Sequence, residues 1–334
     1  MTTTPATAAD AAPGLRTIAL GRWRRGLTLA LGLVWLLDAA LQYQPYMFTK
    51  AFPEQVIEPV GQGSPGWVEH PDHWAGALMA HHIVFWNAVF ATVQLAIAVG
   101  LLLRRTTRAA LAASVLWAIL VWWLGEGLGG VLAGAVSPAM GLPGAVIVYA
   151  LIAVLLWPPR ADATPAPGAL SVAESGPVGV AGARAVWVLF WGAFVFETLR
   201  PADRSARALG SMVSGMADGE PHWLATVDRW ASHAVVGDGT QTSIVLAVVF
   251  AALALCVLVP VDRRPVLAIG VIVSALVWLI AEDLGQIATG NATDCNSGPL
   301  LALLATCYWP VASRRRSPDR TVVRDAPAAR IAPA

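Results

Sequence analysis

The sequence contains few charged residues. Asp, Glu, Lys and Arg make up 13% of its 334 residues, whereas hydrophobic residues make up 57%. A soluble domain typically carries about 25% charged residues, and a soluble chain of this length could not bury so much apolar surface. We therefore expect membrane lipid to be the solvent for the excess. The net charge of +1 creates no strong electrostatic field, so we expect no nucleic-acid partner.

Cysteine is also scarce, and common catalytic motifs are missing. The three cysteines are Cys256, Cys295 and Cys307, and no Cys-x-x-Cys occurs. Cys295 and Cys307 are separated by an apolar helix about 18 Å long, which is too far for a disulfide. The sequence contains no Walker loop, dinucleotide-binding glycine fingerprint, HExxH or GxSxG. These absences exclude a disulfide framework and dithiol redox chemistry, and they leave catalysis of the soluble type without support.

What the sequence does contain is a series of long apolar segments. A membrane-spanning helix needs about 20 mostly apolar residues, and eight segments approach or exceed that length. They are 26–44, 76–103, 109–134, 143–158, 185–200, 241–261, 265–289 and 298–313. The predicted fold class is therefore an all-α integral membrane protein with about eight transmembrane helices.

The two halves of the sequence match at a fixed offset of 156 residues. The segment LVWWLGEGLG at 120–129 aligns with LVWLIAEDLG at 276–285, which places Glu126 opposite Glu282. The other matched pairs are Trp35 and Trp191, Pro45 and Pro201, Pro65 and Pro221, Trp67 and Trp223, Asp72 and Asp228, Trp74 and Trp230, Trp122 and Trp278, Gly134 and Gly290, and Pro143 and Pro299. This pattern predicts two parallel repeats of four helices each.

The repeats and the basic residues define the predicted organisation. We expect an N-terminal tail (1–25), a first membrane repeat (26–159), a linker rich in Ala, Gly and Pro (160–184), a second membrane repeat (185–313) and a C-terminal tail (314–334). The linker composition is typical of a flexible connection. Most Lys and Arg residues lie in the tails, the linker and two short turns. The bias predicts that the tails and linker are cytoplasmic, in a cell membrane crossed an even number of times.

Acidic residues inside predicted spans are the first candidates for a functional site. Glu126 and Glu282 each follow a tryptophan by four residues, Trp122 and Trp278, so each pair shares a helix face. A charged residue near the centre of a span costs about 2.5 kcal/mol or more and commonly faces a cavity. The glutamates predict a proton, cation or ligand site, or alternatively a role in helix packing.

Asp38 and Glu197 extend this hypothesis. They lie on equivalent faces of the first helix of each repeat. With the two glutamates they predict a cluster of four acids around a central cavity. The polar turn at 290–299 has no polar counterpart in the first repeat, and its side chains Asp294, Asn296 and Ser297 are suited to satisfying helix ends.

A second repeated motif, Trp-x4-Asp-x-Trp, lies in the predicted outer segments. Its members are Trp67, Asp72 and Trp74 in the first repeat and Trp223, Asp228 and Trp230 in the second. An interfacial aromatic belt accounts for the tryptophans, but it does not account for an aspartate at fixed spacing. We predict a short interfacial helix that covers the outer mouth of each bundle.

Histidine and methionine also favour the outer side. His81, His82 and His233 are the candidate metal ligands, because imidazole and thioether groups together suit copper. No compact ligand pattern occurs. The alternative to a metal site is that polar and soft side chains simply collect on the outer loops. His82 and His233 are also candidate haem ligands, but the repeat does not place them opposite each other.

One stretch resembles a known family. LAIAVGLLLRRTTRAALAASVLWA at 95–118, and the first helix followed by Lys-Ala-Phe at 50–52, are similar to the DoxX-like membrane family. The resemblance implies four-helix units associated with thiol, sulfur and quinone redox systems. It implies a non-catalytic redox-associated component that contacts a quinone or a redox partner protein. The alternatives are a proton-coupled small-molecule transporter that uses the paired glutamates, and an outward-facing copper or zinc handling protein.

Overall fold

A computed structural model describes residues 8–133, 143–160, 166–200, 221–235 and 239–311 of the chain. The predicted C-terminal tail lies outside these ranges, as do Gly134 and Pro201 of the repeat. Within the ranges the ordered elements are helical, and no strand occurs. The α-helices are α1 (Ala8–Leu41), α2 (Gly66–His81), α3 (Ile83–Leu102), α4 (Thr107–Leu124), α5 (Ala145–Leu155), α6 (Gly179–Thr198), α7 (His222–Val235), α8 (Gly239–Leu255), α9 (Arg264–Ile280) and α10 (Ser297–Cys307). Shorter helical turns lie at Pro45–Phe48, Pro53–Ile57, Gly127–Gly130 and Asp283–Thr289.

Four helical stretches of the described residues are long and apolar enough to cross a membrane. They are Ile83–Leu102, Thr107–Leu124, Gly179–Thr198 and Arg264–Thr289. Their outward faces are apolar: Leu116, Leu189 and Ile272 are 62%, 73% and 59% exposed. Large apolar surfaces of this kind are typical of contact with lipid. The predicted all-α class and the membrane character of the chain are confirmed.

The predicted span 76–103 is divided in the structure. Helix α2 ends at His81, α3 begins at Ile83, and His82 between them has φ −139° and ψ 51°, outside the helical range. The apolar sequence continues across this break, so hydropathy alone does not reveal it. Only α3 has the length and apolar character of a membrane-crossing helix. Helix α2 has a narrow buried face formed by Val68, Asp72, Gly76 and Met79.

The helices pack in pairs around a shared centre. Helix α1 packs along α3, α4 along α5, α6 along α8, and α9 along α10, while α5 and α10 pack against each other. Buried aromatic side chains fill the core. The indole N–H of Trp35 in α1 donates a hydrogen bond to the Ser114 hydroxyl of α4 at 2.9 Å, and the ring centroid of Trp35 lies 4.4 Å from that of Tyr149 in α5. The first, fourth and fifth helices are therefore fixed together.

The segment 166–178 is packed, which corrects the prediction of a flexible linker. Ala169, Val172 and Ala173 are fully buried. The backbone N–H of Ala173 donates to the carbonyl of Cys307 at 3.0 Å, where α10 ends. Small side chains let this segment approach the helix ends closely. A composition rich in Ala, Gly and Pro, which is typical of a flexible linker, therefore forms a closely packed segment here.

Glu174 anchors this segment through a buried ion pair. Its carboxylate accepts hydrogen bonds from both terminal nitrogens of Arg263 at 3.0 and 2.8 Å, and from Nε of Arg184 at 3.2 Å. Burial raises the pKa of Glu174, but the Arg263 guanidinium and the Leu170 N–H outweigh it and lower this pKa to about 2. Glu174 is therefore ionised at any physiological pH.

Candidate functional site

A cavity of about 460 Å³ lies among the first five helices. Its walls are largely apolar and include four tryptophans: Trp35, Trp74, Trp86 and Trp117. Polar side chains from α1, α3, the end of α4 and the turn before α10 also line it. An apolar cavity of this size with a few converging polar groups is the usual form of a small-molecule site.

Helix α2 covers one side of the cavity. Trp74, Ala75, Leu78 and Met79 line the cavity from this helix, and Val56, Ile57 and Val60 line it from the preceding segment. The two segments approach closely because Gly76 faces Glu58 and Gly61 faces Asp72, where added β-carbons would clash. Helix α2 contains the first Trp-x4-Asp-x-Trp motif, so the motif lies on a helix that covers the cavity.

Three carboxyl groups line the cavity. Asp38 accepts hydrogen bonds from the Tyr149 hydroxyl and from the Cys295 backbone N–H, the latter at 3.2 Å. Glu126 accepts one from the Val146 N–H at 3.3 Å. Asp294, from the turn before α10, lies within electrostatic range of both. Burial raises the pKa of Asp294 above its ordinary value, opposed by its hydrogen bond from the Asn296 N–H.

Several buried polar atoms around the cavity have no hydrogen-bond partner. Three are acceptors: Oε1 of Gln42, Oε1 of Gln94 and Oε2 of Glu126. One is a donor, the indole N–H of Trp117. Gln42 and Gln94 are 6% and 8% exposed, so bulk water does not satisfy them. None of the described residues that line the cavity is Lys, Arg or His.

Glu282 and Glu197 do not line this cavity, so the predicted cluster of four acids is divided. Glu282 accepts hydrogen bonds from the Ser297 hydroxyl and from the Gly298 N–H, the latter at 2.8 Å, at the first turn of α10. A carboxylate there satisfies free N–H groups and the positive end of the helix dipole. Glu197 pairs with Arg200 at 2.8 Å. Of the four predicted acids, Asp38 and Glu126 line the cavity together with Asp294. Glu282 lies outside the lining but within electrostatic range of Asp294.

The two tryptophans before the glutamates hold the following connection in place. The indole N–H of Trp122 donates to the Pro143 carbonyl at 2.6 Å, and that of Trp278 donates to the Cys295 carbonyl at 2.9 Å. The backbone after each glutamate is left-handed, with φ of 63° at Gly129 and 72° at Gly285. A β-carbon at either glycine would meet the same carbonyl, so both positions require glycine.

These contacts change the register of the predicted repeat. Trp122 and Trp278 are 156 residues apart, but their acceptors, Pro143 and Cys295, are 152 apart. Glu126 accepts a hydrogen bond from the backbone N–H of Val146, and Glu282 accepts one from that of Gly298. These two donors are also 152 residues apart. In these contacts Pro143 takes the place that Cys295 takes in the second half, whereas the predicted offset of 156 pairs Pro143 with Pro299. The connection before α10 is four residues shorter than the one before α5.

The tryptophans of the outer motif are exposed, and its first aspartate is not. Trp67, Trp74, Trp223 and Trp230 are 56–69% exposed. Asp72 is fully buried, and burial raises its pKa to about 6, although the nearby Gly127 N–H acts in the opposite direction. The side chain of Asp228 lies outside the described residues. Exposed tryptophans around a buried aspartate suit an interfacial helix that is fixed on its inner face.

The candidate metal ligands are dispersed. His81, His82 and His233 are all exposed, on or beside α2 and α7. Within the described ranges, no group of three or more His, Cys, Asp or Glu residues could hold a metal ion. The predicted copper or zinc site therefore receives no support from the residues the structure places, and neither does the pairing of His82 with His233 around a haem.

No protein-family model, curated protein or solved structure matches the chain. The DoxX-like resemblance and the redox role that it implies stay predictions.

Sequence reasoning missed several residues of the cavity. Acids within spans single out Asp38 and Glu126 but not Gln42, Gln94 or Trp117, although amides in apolar segments also carry a desolvation cost. The sequence prediction placed Asp294 at a helix end, and Asp294 does accept a hydrogen bond from the Asn296 N–H at 2.6 Å. Asp294 also lines the cavity of α1–α5, and no local sequence pattern predicts this contact.

Proposed function

We propose that the chain binds a small amphipathic molecule in the cavity of α1–α5 and exchanges it for protons across the membrane. The observation that carries the proposal is the set of buried, unpaired acceptors within apolar walls. Each such group costs about 1–3 kcal/mol when no partner is bound. Buried polar groups are normally satisfied, so those of Gln42, Gln94 and Glu126 favour a bound ligand as the missing partner.

The proposed architecture is eight spans in two parallel four-helix repeats. In this arrangement α1, α3, α4 and α5 correspond to α6, α8, α9 and α10, and α2 and α7 lie at the interface. The paired contacts of Trp122 and Trp278, the left-handed turns at Gly129 and Gly285, and the central packing of α5 on α10 support it. Helices α5 and α10, with 11 residues each, would span the membrane together with flanking residues.

We propose that the protein lies in the cell membrane with both termini in the cytoplasm. The orientation is supported by arginine side chains that lie together at one end of the helices. Arg25 donates to the Leu101 carbonyl at 2.9 Å, Arg108 to the Pro159 carbonyl at 3.2 Å and Arg24 to the Ser175 hydroxyl at 2.9 Å. The cavity acids lie at the other ends of the same helices. Under the positive-inside rule, the cavity would then face the outer side.

Proton exchange is proposed for Asp38 and Glu126. Both carboxyl groups line an apolar site that also contains Asp294, and each can carry or release one proton. A ligand that donates hydrogen bonds would replace those protons, and its release would restore them. Asp38 keeps its hydrogen bonds from Tyr149 and Cys295 in either state, so Glu126, with one free oxygen, is the group whose surroundings change most.

The first experiment measures binding to the protein in lipid nanodiscs. Three probes share one skeleton: 4-phenylbutylamine, 4-phenylbutanol and 4-phenylbutyrate. Binding of at least one probe by calorimetry, lost when Ala75→Trp fills the cavity and retained in the exposed control Glu54→Gln, would support the proposal. If no probe binds, or if Ala75→Trp binds as tightly as the unmodified protein, the proposal fails.

The second experiment tests proton exchange with whichever probe binds. Proteoliposomes that contain a pH-sensitive dye should show proton movement when the probe is added to one side. The movement should be lost in Glu126→Gln and retained in Glu54→Gln. Proton movement equal to that of protein-free liposomes would contradict the exchange.

A second candidate function is the redox-associated role, with a quinone in the same cavity. The specific observation in its favour is the free indole N–H of Trp117 among aromatic walls, since a quinone carbonyl would accept that hydrogen bond. Lipid extraction of the gently purified protein tests it. A quinone present in stoichiometric amount, or a redox enzyme purified with the chain, would support it, and a lipid extract without quinone would remove it.

A further inference from the structure

We infer that the ligand of this cavity is an amphipathic organic cation, a primary or secondary ammonium group attached to an apolar body. This inference rests on the proposed function and narrows it to one chemical class. Three independent features carry it: the excess of unpaired acceptors, the sign of the charge in the cavity, and the aromatic walls.

The unpaired atoms call for a ligand that donates hydrogen bonds. One side-chain oxygen each of Gln42, Gln94 and Glu126 is buried without a hydrogen-bond partner, and among the donors so is the indole N–H of Trp117. A primary ammonium group carries three N–H donors and no acceptor. A carboxylate ligand carries only acceptors, so it would satisfy Trp117 and leave the three oxygens unpaired. An alcohol supplies a single O–H and would leave most of them unpaired.

The charge in the cavity has one sign. Asp38, Glu126 and Asp294 line it, and no basic side chain does so among the described residues. Ionised carboxylates in an apolar site need an opposite charge nearby. The buried acid Glu174 obtains that charge from Arg263, whereas the cavity acids have no such partner among the described lining residues. A ligand cation would supply it and would displace a proton as it bound.

The walls suit an apolar body with a positive end. Trp86 and Trp117 line the cavity and are partly exposed, and indole faces attract ammonium groups as well as apolar groups. A volume of about 460 Å³ lies within the range of sites for small organic molecules.

Access to the cavity adjoins the apolar surface of α4. Val56, Trp74 and Leu120 line the cavity and are 37%, 60% and 38% exposed, so the opening lies between α2 and α4. Leu116, one turn from Leu120, is on the outward apolar face of α4. A ligand with an apolar body can therefore arrive from the lipid, where such molecules concentrate.

The test compares the three skeleton-matched probes in nanodiscs of uncharged lipid. We expect 4-phenylbutylamine to bind at least tenfold more tightly than 4-phenylbutanol, and 4-phenylbutyrate to bind more weakly than both. Glu126→Gln and Asp38→Asn should each lower the affinity for the amine about tenfold and change that for the alcohol less than twofold. Retained alcohol binding shows that the variants are folded, and Glu54→Gln should leave both affinities unchanged.

The outcomes separate this inference from the proposed function. If the alcohol binds as tightly as the amine, or the carboxylate binds best, the cavity is a ligand site and the assignment to cations is overturned. If Glu126→Gln and Asp38→Asn reduce amine and alcohol binding equally, the charge-specific role of the acids is also overturned. If none of the three probes binds, the proposed function itself fails.

Discussion

Glu126 and Glu282 both hold the start of the helix that follows them, but Glu126 keeps one carboxylate oxygen free. Glu126 accepts a hydrogen bond from the Val146 N–H at 3.3 Å, and its second oxygen is unpaired beside the cavity. Glu282 is 1% exposed and uses both oxygens, for Ser297 and Gly298. Two residues that align in the sequence therefore differ in what they leave available for a ligand.

The first prediction is that Glu282→Gln destabilises the protein more than Glu126→Gln does. The amide cannot accept hydrogen bonds at both positions, and it removes a negative charge from the start of α10. We expect a loss of about 1–2 kcal/mol for Glu282→Gln and a smaller loss for Glu126→Gln. Thermal unfolding in the same detergent measures both. Equal losses would contradict the distinction between the two carboxylates.

The second prediction concerns Asp72 and pH. Its pKa of about 6 lies above the ordinary 3.8, so the folded state prefers the protonated form. The stability that Asp72 contributes is complete below about pH 4 and is lost as pH rises through 6. Asp72→Asn imitates the protonated group and should raise the unfolding temperature at pH 7.5, by a free energy of up to about 3 kcal/mol.

At pH 4.5 the same Asp72→Asn substitution should have a smaller effect, about 1 kcal/mol, because the folded carboxyl is then protonated and only the unfolded one is largely ionised. The exposed Glu54→Gln serves as the control at both pH values. An equal change in unfolding temperature at the two pH values would show that Asp72 acts through packing and not through its charge.

The third prediction concerns the Glu174 and Arg263 pair. Removing one partner leaves a buried charge alone, so Arg263→Met should cost about 3–5 kcal/mol. The double variant with Glu174→Leu should be more stable than the sum of the two single losses predicts. Because the pKa of Glu174 is about 2, its contribution persists above pH 4.5 and is lost as pH falls towards 2.

The matched control for this pair is Asp262→Asn. Asp262 lies 3.9 Å from Arg264 with both side chains largely exposed, so its loss should change stability little. Unfolding temperatures at pH 7 test both pairs. Strict additivity of the Glu174 and Arg263 substitutions would contradict their direct coupling.

The fourth prediction concerns the hydrogen bond between Trp35 and Ser114. Both residues are buried, at 1% and 0% exposure, so Ser114→Ala leaves the indole N–H without a partner and should cost about 1–3 kcal/mol. In a Trp35→Phe background the same substitution should cost less, since no N–H remains to satisfy. A double-mutant cycle of thermal unfolding provides the comparison, and an identical cost in both backgrounds would exclude the hydrogen bond as the cause.

Much of the fold followed from the sequence because apolar length is a local property. The predicted spans 109–134 and 265–289 overlap nearly all of α4 and α9, and hydropathy sums only the residues within such a window. It does not detect the break at His82, where apolar residues continue on both sides. It also does not detect that 166–178 packs tightly, because that depends on Arg263 far along the chain.

The candidate site was less accessible to the sequence. Glu126 and Glu282 look equivalent at a fixed offset, and their difference arises from a connection that is four residues shorter before α10. Asp294 reaches the cavity from the second half of the chain because of how the helices pack. Hydrophobic periodicity in the sequence does not predict which helices pack together. The sequence does contain one signal for this site, the amides of Gln42 and Gln94 within apolar segments. A buried amide carries a desolvation cost, as a buried acid does.

The hydrogen bond that Cys295 donates to Asp38 joins residues 257 positions apart. During synthesis, α1 is released from the ribosome long before the turn at residues 293–296 exists. Until then Asp38 lacks a backbone donor, and the wall containing Asp294 is missing. A product that stops after the first half therefore contains five helices that surround an incomplete cavity. Under the proposed function, a complete ligand site would therefore form only after nearly the whole chain has been translated and inserted.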